Sequence, residues 1–274
     1  DVYKRQDIGI NRLSIGVQSF NDRDLVFMNR SHNFQEAINC INAAKREGFK
    51  NINIDLIYGL PHQSLEDWNK NLDILFSLNI QHFSAYSLTV EKNTKLKFMI
   101  DKNHVSLLED TDVVNQYNLL LKKSLQQGFI NYEISNFGLK DRLSKHNLGY
   151  WKNVNYLGVG PSAHSFNGKS RRWNISSNTK YIKKLRKKEL YFESETLDLH
   201  QRYNEYIFTS IRTMWGVDIN IIKERFTKDI ADYYIKEIKK WEEKLYVIEF
   251  RGVFTLTKEG KIFSDLISSD LFIV

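Results

Sequence analysis

The feature that most constrains the fold is a repeated alternation of strand-like and helix-like segments in the first part of the chain. Three segments are predicted to be strands: residues 11–20, 51–58 and 82–90. Residues 33–47 carry apolar side chains at helical spacing, and a second helix is predicted to begin after Ser64, with Asp67 completing a capping box. Short strand–helix–strand repeats predict an α/β fold with parallel strands, arranged as a sheet or a barrel.

The last part of the chain follows a different pattern. Helices are predicted over residues 203–214, 220–226 and 230–244, followed by a hairpin around Arg251-Gly252 and a final helix from Lys258. Three helices followed by a two-stranded hairpin predict a small winged-helix-like domain. Between the two parts, residues 137–172 are rich in glycine, aromatic residues and histidine with weak periodicity, which predicts a long functional loop.

These patterns give an expected domain organisation. The hexapeptide at residues 1–6 resembles a translated sequencing adaptor, so we expect the natural N-terminus to be missing. Residues 7–178 are expected to form the α/β domain with its extension, residues 179–198 a basic linker, and residues 199–274 the winged-helix-like domain.

Composition excludes several classes of protein. Hydrophobic residues make up 42% of the 274 residues, enough for a core, but no apolar run approaches the roughly 20 residues of a membrane helix. The single cysteine, Cys40, cannot form an internal disulfide or by itself a cysteine-based metal site, which favours a reducing, cytoplasmic compartment. The net charge of +7 is spread along the chain, and residues 230–244 mix acidic side chains with lysines. A nucleic-acid partner is therefore not favoured.

Polar residues lie where the predicted parallel strands end, which is where such folds bind ligands. Gln18 ends the first strand, Arg30 follows its exit loop, and Asp55 lies within the second strand. An aspartate in an apolar strand needs a hydrogen-bonding partner. That partner is either a ligand hydroxyl or amine, or neighbouring backbone, and the sequence leaves both interpretations open.

A second cluster combines a histidine with aromatic residues. His146, Tyr150 and Trp151 lie within six residues, and a neutral imidazole is a common axial ligand of heme iron. The alternative is a histidine packed within an aromatic loop. The glycine-rich turn at residues 158–164 lacks a phosphate-binding pattern and is expected to let backbone approach a ligand closely.

Five ordered segments resemble the radical S-adenosylmethionine family that contains oxygen-independent coproporphyrinogen oxidases and heme chaperones. They are residues 11–20 (NRLSIGVQSF), 55–61 (DLIYGLP), 84–88 (SAYSL), 132–137 (YEISNF) and 146–151 (HNLGYW). The resemblance covers residues 8–274 and implies the second half of a partial (β/α)6 barrel followed by the winged-helix-like domain. The last segment is similar to the heme-chaperone branch.

The resemblance also implies the binding residues and cofactors. The residues implied for the S-adenosylmethionine pocket are Gln18, Arg30, Asp55, Ser87 and His164, and those implied for heme are His146, Asn147, Tyr150 and Trp151. The implied cofactors are a [4Fe–4S] cluster, S-adenosylmethionine and heme. The family's cluster motif, C-x-x-x-C-x-x-C, lies upstream of the segments present, so we expect the chain alone to be inactive in radical chemistry.

The function implied by the resemblance is binding of heme and its transfer to an unidentified acceptor protein. The alternative is an oxygen-independent coproporphyrinogen III oxidase, which removes two propionate carboxyls as CO2. In that alternative, Arg171 and Arg172 are candidates for holding propionates.

Overall fold

The computed structural model describes residues 9–274, and the chain divides into two compact units, one up to Ser144 and one from Lys145 onward. The hexapeptide at residues 1–6 lies outside the described residues. The domain boundaries expected from the sequence stay a prediction. Each unit has its own set of buried apolar side chains.

The first unit contains, in the described residues, a sheet of five strands with helices against it. The strands are β1 (Leu13–Gln18), β2 (Ile52–Tyr58), β3 (His82–Ser87), β4 (Ile130–Asn131) and β5 (Asn136–Gly138). The helices are α1 (Asp22–Phe27), α2 (Phe34–Arg46), α3 (Leu65–Ser77), α4 (Lys95–Asp101) and α5 (Asp110–Gln126).

The order of the sheet is β1-β2-β3-β5-β4. Strands β1, β2 and β3 are parallel, whereas β5 pairs antiparallel with both β3 and β4. The parallel strands are joined by helical crossovers, as parallel pairing requires. The predicted α/β class with parallel strands is confirmed, and the arrangement is consistent with part of a barrel.

Local sequence accounts for the helices of this unit. Asn33 caps α2 and forms a capping box with Glu36, and Ser64 and Asp67 form the same motif at α3. The inner face of α3 buries Trp68, Leu72 and Leu75 at helical spacing. These side chains pack in one core with the apolar face of the sheet.

The second unit contains two small sheets and several helices. The strands are β6 (His164–Phe166), β7 (Ser170–Asn174), β8 (Phe192–Thr196), β9 (Val217–Asp218), β10 (Val247–Phe250) and β11 (Val253–Leu256). The helices are α6 (Lys145–Trp151), α7 (Asn178–Arg186), α8 (Leu199–Ile211), α9 (Ile219–Arg225), α10 (Lys228–Glu243), α11 (Lys258–Ile262) and α12 (Ser264–Asp270). Strands β6, β7 and β8 form one antiparallel sheet, and β10, β11 and β9 form the other.

The helices and strands observed in the second unit agree with some of the predicted elements and differ from others. The hairpin around Arg251-Gly252 is confirmed, with both residues at positive φ as a tight turn between twisted strands requires. The long loop predicted over residues 137–172 is wrong, because it contains α6, β6 and part of β7. Residues 178–186 and 192–196, within the expected linker, form α7 and β8. In the described residues, no helix combines the length and the apolar character needed to cross a bilayer.

Candidate functional site

The sheet of the first unit has one apolar and one polar face. Ile54, Leu56 and Phe83 belong to the core shared with the helices. Successive side chains of a strand point to opposite faces, so Asn53 and Asp55 of β2 share the other face. They are hydrogen-bonded there to each other. This polar face is the candidate site of the first unit.

Asp55 is hydrogen-bonded to side chains of its own face. Its Oδ2 accepts a bond of 2.9 Å from Ser14 Oγ, and its Oδ1 accepts one of 2.7 Å from Asn53 Nδ2. These two partners are side chains, whereas neighbouring backbone was one of the two interpretations that the sequence left open. Asp55 is only half-buried, and a carboxylate has about four acceptor positions, so capacity remains for a ligand hydroxyl.

Gln18 ends β1 in an unusual conformation. Its φ is 70°, and the pairing between β1 and β2 shifts register between Ile15 and Gln18. The side chain folds back so that Nε2 lies 2.7 Å from where a Cβ of Gly16 would be. Gly16 shares the face of Ser14, so the Gln18 amide lies on the same face as Asp55.

The other residues predicted for this pocket differ in their surroundings. Arg30 is exposed in the turn after α1, and Ser87 at the end of β3 is paired with Tyr58, to which its side chain is hydrogen-bonded. Ser87 therefore lies on the face opposite to Asp55. His164 is exposed at the start of β6, in the second unit. The structure brings Gln18 and Asp55 to one face and does not bring Ser87 there.

A buried histidine, His82, lies on this same face, because it is paired with Asn53 in the sheet. His82 is fully buried; its Nδ1 lies 2.5 Å from Asn53 Oδ1 and its Nε2 lies 2.8 Å from the Tyr132 hydroxyl. Burial, with a smaller contribution from the charge of Arg12, lowers the pKa of His82 to about 3. The ring is therefore neutral near pH 7. Polar residues at every second position of β2 and β3 were the available sequence signal.

A buried carboxylate continues this network. Glu133 is buried and accepts hydrogen bonds from the Asn136 side chain and, at 3.3 Å, from the Ser135 backbone N–H. Asn136 in turn accepts a bond of 2.9 Å from Ser84 Oγ. Glu133 lies in the short connection between β4, which ends at Asn131, and β5, which begins at Asn136. This network lies on the same face as Asp55 and reaches it through Asn53.

Helix α6 carries the predicted heme residues of the second unit. His146 and Tyr150 are exposed, one turn apart, and their rings meet edge to face with centroids 4.9 Å apart. Trp151 lies about 100° further around the helix and lines a separate cleft of about 300 Å³ with Tyr206 and Trp215. Asn147 is half-buried on the same helix. The structure groups His146 with Tyr150 and separates Trp151 from them.

Apolar side chains next to α6 are unusually exposed. Leu157 is 70% exposed and Val159 is 84% exposed, and Tyr150 is 41% exposed. Gly158 lies between them, where a Cβ would overlap the carbonyl oxygen of His164. The close approach expected for this turn is therefore made to the chain's own strand β6. The exposed side chains of Leu157 and Val159 offer an apolar surface in the segment that follows α6 in the chain.

The two arginines considered for propionates have different environments. Arg171 forms an ion pair with Glu205 and lies 4.0 Å from a Glu195 oxygen, whereas the Arg172 guanidinium stacks on Phe192 at 4.6 Å. Arg171 is thus already neutralised by acidic side chains. Its environment gives the oxidase alternative no support.

Comparison with known proteins defines the class. A Radical SAM superfamily model matches residues 3–75, and a HemN C-terminal domain model matches residues 197–263. The heme chaperone HemW of Bacillus subtilis (strain 168) is 31% identical over 94% of this chain and 68% of its own length. The heme chaperone HemW of Buchnera aphidicola subsp. Schizaphis graminum is 34% identical over 95% of this chain and 68% of its own. The chain thus spans about two thirds of the length of these relatives.

The fold agrees with this class. Coproporphyrinogen III oxidase (HemN) from Escherichia coli, described as a radical SAM enzyme, aligns with a TM-score of 0.79 over 99% of this chain and 66% of its own, at 20% identity. Fold and family models together define a radical SAM protein with a HemN-type C-terminal domain. Within this class, the chain belongs to the family of the heme chaperone HemW. The family resemblance of the sequence is confirmed.

The radical SAM class implies a [4Fe–4S] cluster and S-adenosylmethionine in the intact protein. Among residues 9–274 no group of three or more potential metal ligands is close together, and Cys40 is exposed on α2. The described residues therefore do not fit the cluster. The polar face fits S-adenosylmethionine, because Asp55 and the Gln18 amide supply acceptors and a donor suited to its ribose and amino acid groups.

Proposed function

We propose that the chain belongs to a protein that binds heme and passes it to an acceptor protein, on a radical SAM scaffold. One observation carries the proposal: the exposed imidazole of His146 lies against the Tyr150 ring, which in turn contacts the Tyr156 ring at 4.8 Å between centroids. An imidazole nitrogen binds heme iron, and the flat porphyrin covers apolar and aromatic surface.

An exposed site suits transfer better than storage. A ligand enclosed in a cavity leaves only when the protein opens, whereas a heme held at the surface remains accessible to a second protein. The exposed positions of His146 and Tyr150 support such a site. We place the protein in the cytoplasm on the basis of its single free cysteine. An acceptor protein that takes heme from this site is part of the proposal.

We further propose that the polar face of the first unit binds S-adenosylmethionine. In this proposal Asp55 accepts hydrogen bonds from the ribose hydroxyls, and the Gln18 amide forms a hydrogen bond with the amino acid group. The exposed guanidinium of Arg30 pairs with the carboxylate. When bound to a reduced cluster, S-adenosylmethionine supplies a radical. The expectation that the chain alone is inactive in radical chemistry stays a prediction.

Heme titration followed by absorption spectroscopy tests the proposed function. We expect His146→Ala to remove the spectrum of imidazole-bound heme and to weaken binding about tenfold or more, because the axial bond is lost. His200→Ala is the matched control, since His200 is another exposed histidine at the start of a helix in the same unit. Equal heme affinity and identical spectra for the two variants would reject His146 as the iron ligand.

A further inference from the structure

A cleft of about 370 Å³ lies on the second unit, between the loop before β6 and the edges of β7 and β8. One part of its lining is apolar or aromatic, with Tyr156, Leu157 and Phe192. The remainder is polar, with hydroxyl and amide groups of Ser165, Asn167, Ser170 and Ser194, and a single arginine, Arg172. Such a lining suits the edge of an apolar molecule that ends in an anionic group.

Arg172 is the charged group available in this cleft. Its guanidinium stacks on Phe192, and among residues 9–274 it forms no ion pair with a carboxylate. Its Nε is buried and has no hydrogen-bonding partner in that part of the chain. Arg171, next to it on β7, points to the other face and is paired with Glu205. A stacked guanidinium with unused donors is suited to bidentate binding of a carboxylate.

Aromatic contacts connect the cleft to the proposed iron ligand. His146 contacts Tyr150 at 4.9 Å between ring centroids, and Tyr150 contacts Tyr156 at 4.8 Å. Tyr156 lines the cleft directly. The surface therefore continues from the imidazole, over two aromatic rings, to the guanidinium of Arg172.

We infer that Arg172 binds a propionate carboxylate of heme whose iron is bound by His146. This assignment rests on the proposed heme-binding function and adds a residue that fixes the orientation of the ligand. The porphyrin contacts the Tyr150 and Tyr156 rings, which meet edge to face, and its carboxylate edge enters the cleft beside the serine hydroxyls. Ser165 Oγ, which accepts the Gly158 N–H at 2.9 Å, keeps its own hydroxyl proton for the carboxylate.

The test compares heme with heme dimethyl ester, in which both carboxylates are esterified, on the full chain. We expect Arg172→Gln to weaken heme binding about tenfold, because a charge-assisted hydrogen bond is lost, and to leave the affinity for the ester unchanged. Arg172→Lys should recover part of the lost heme affinity, since lysine keeps the positive charge but lacks the planar guanidinium that binds a carboxylate through two hydrogen bonds. Lys169→Gln, which removes a nearby exposed charge, should leave both affinities within about twofold.

Two outcomes would overturn the inference: equal heme affinity for Arg172→Gln and the unsubstituted chain, or equal losses for heme and ester. Circular dichroism melting of each variant separates loss of binding from loss of folding. His146→Ala tests the proposed function independently, because it should weaken heme and ester alike. If His146→Ala has no effect while Arg172→Gln selectively weakens heme, the iron ligand is wrong and the carboxylate site stands.

Discussion

At the scale of single residues, His82 has the most direct consequence for stability. Its ring is enclosed between Asn53 and Tyr132, and burial lowers its pKa to about 3, well below the ordinary value of 6.5. Between those two pH values the unfolded chain binds a proton at this position and the folded chain does not. The folded state is therefore destabilised as pH falls through 6.5, and the effect increases until about pH 3.

We predict that the free energy of unfolding falls by about 2 kcal/mol from this residue alone between about pH 7 and pH 5. Urea unfolding at the two pH values measures the difference. His82→Gln should reduce the pH dependence by that amount, although it also lowers stability at neutral pH. His200→Ala, which removes an exposed histidine, is the control for loss of a histidine side chain outside the core. An unchanged pH dependence in His82→Gln would contradict the shifted pKa.

Gly158 is a residue whose role the sequence indicated only in part. The glycine-rich turn predicted a close backbone approach, but the group approached is the backbone of His164 rather than a ligand. We predict that Gly158→Ala costs about 1–3 kcal/mol of stability, as expected for forced overlap in a packed region. Gly149→Ala on α6 is the matched control, because no atom lies within 4 Å of where its Cβ would be. Equal melting temperatures for the two variants would contradict this account.

At the scale of elements, the sequence predicted those helices and strands that depend on interactions within a single segment. Helices α2 and α3 were found because their caps and apolar spacing lie within the segment itself. Strands β4 to β8 are short, and their pairing depends on partners from other segments, so no local pattern marked their ends. The candidate site residues show the same difference between features that a local pattern predicts and features that depend on the folded structure. Asp55 was predicted from its place in an apolar strand, whereas the separation of Trp151 from Tyr150 depends on the helical form of residues 145–151.

The capping box of α3 gives a prediction at this scale. Ser64 Oγ accepts a hydrogen bond from the Asp67 N–H and donates one to the Asp67 carboxylate, which lowers the pKa of Asp67. We predict that Ser64→Ala destabilises the first unit by about 1 kcal/mol in urea unfolding. Ser77→Ala, at the other end of the same helix and exposed, should change stability by less than about 0.5 kcal/mol. A smaller loss for Ser64 than for Ser77 would refute the capping role.

At the scale of the whole molecule, the chain consists of two units that each bury apolar side chains. In the second unit the buried side chains include Tyr203, Ile207 and Ile211 of α8 and Tyr234 and Ile238 of α10. All of these side chains belong to residues 145–274. The proposed heme residues His146, Tyr150 and Arg172 lie in this unit as well.

We therefore predict that residues 145–274 fold alone and bind heme. Urea unfolding of this fragment should be a single cooperative transition, as for a domain with one core, and its heme affinity should lie within about threefold of that of the longer chain. The fragment with His146→Ala serves as the control for specific binding. Because every contact proposed for heme lies after Ser144, a fragment that folds cooperatively and does not bind heme would show that the ligand needs residues outside this unit. The heme site described on α6 would then be incomplete.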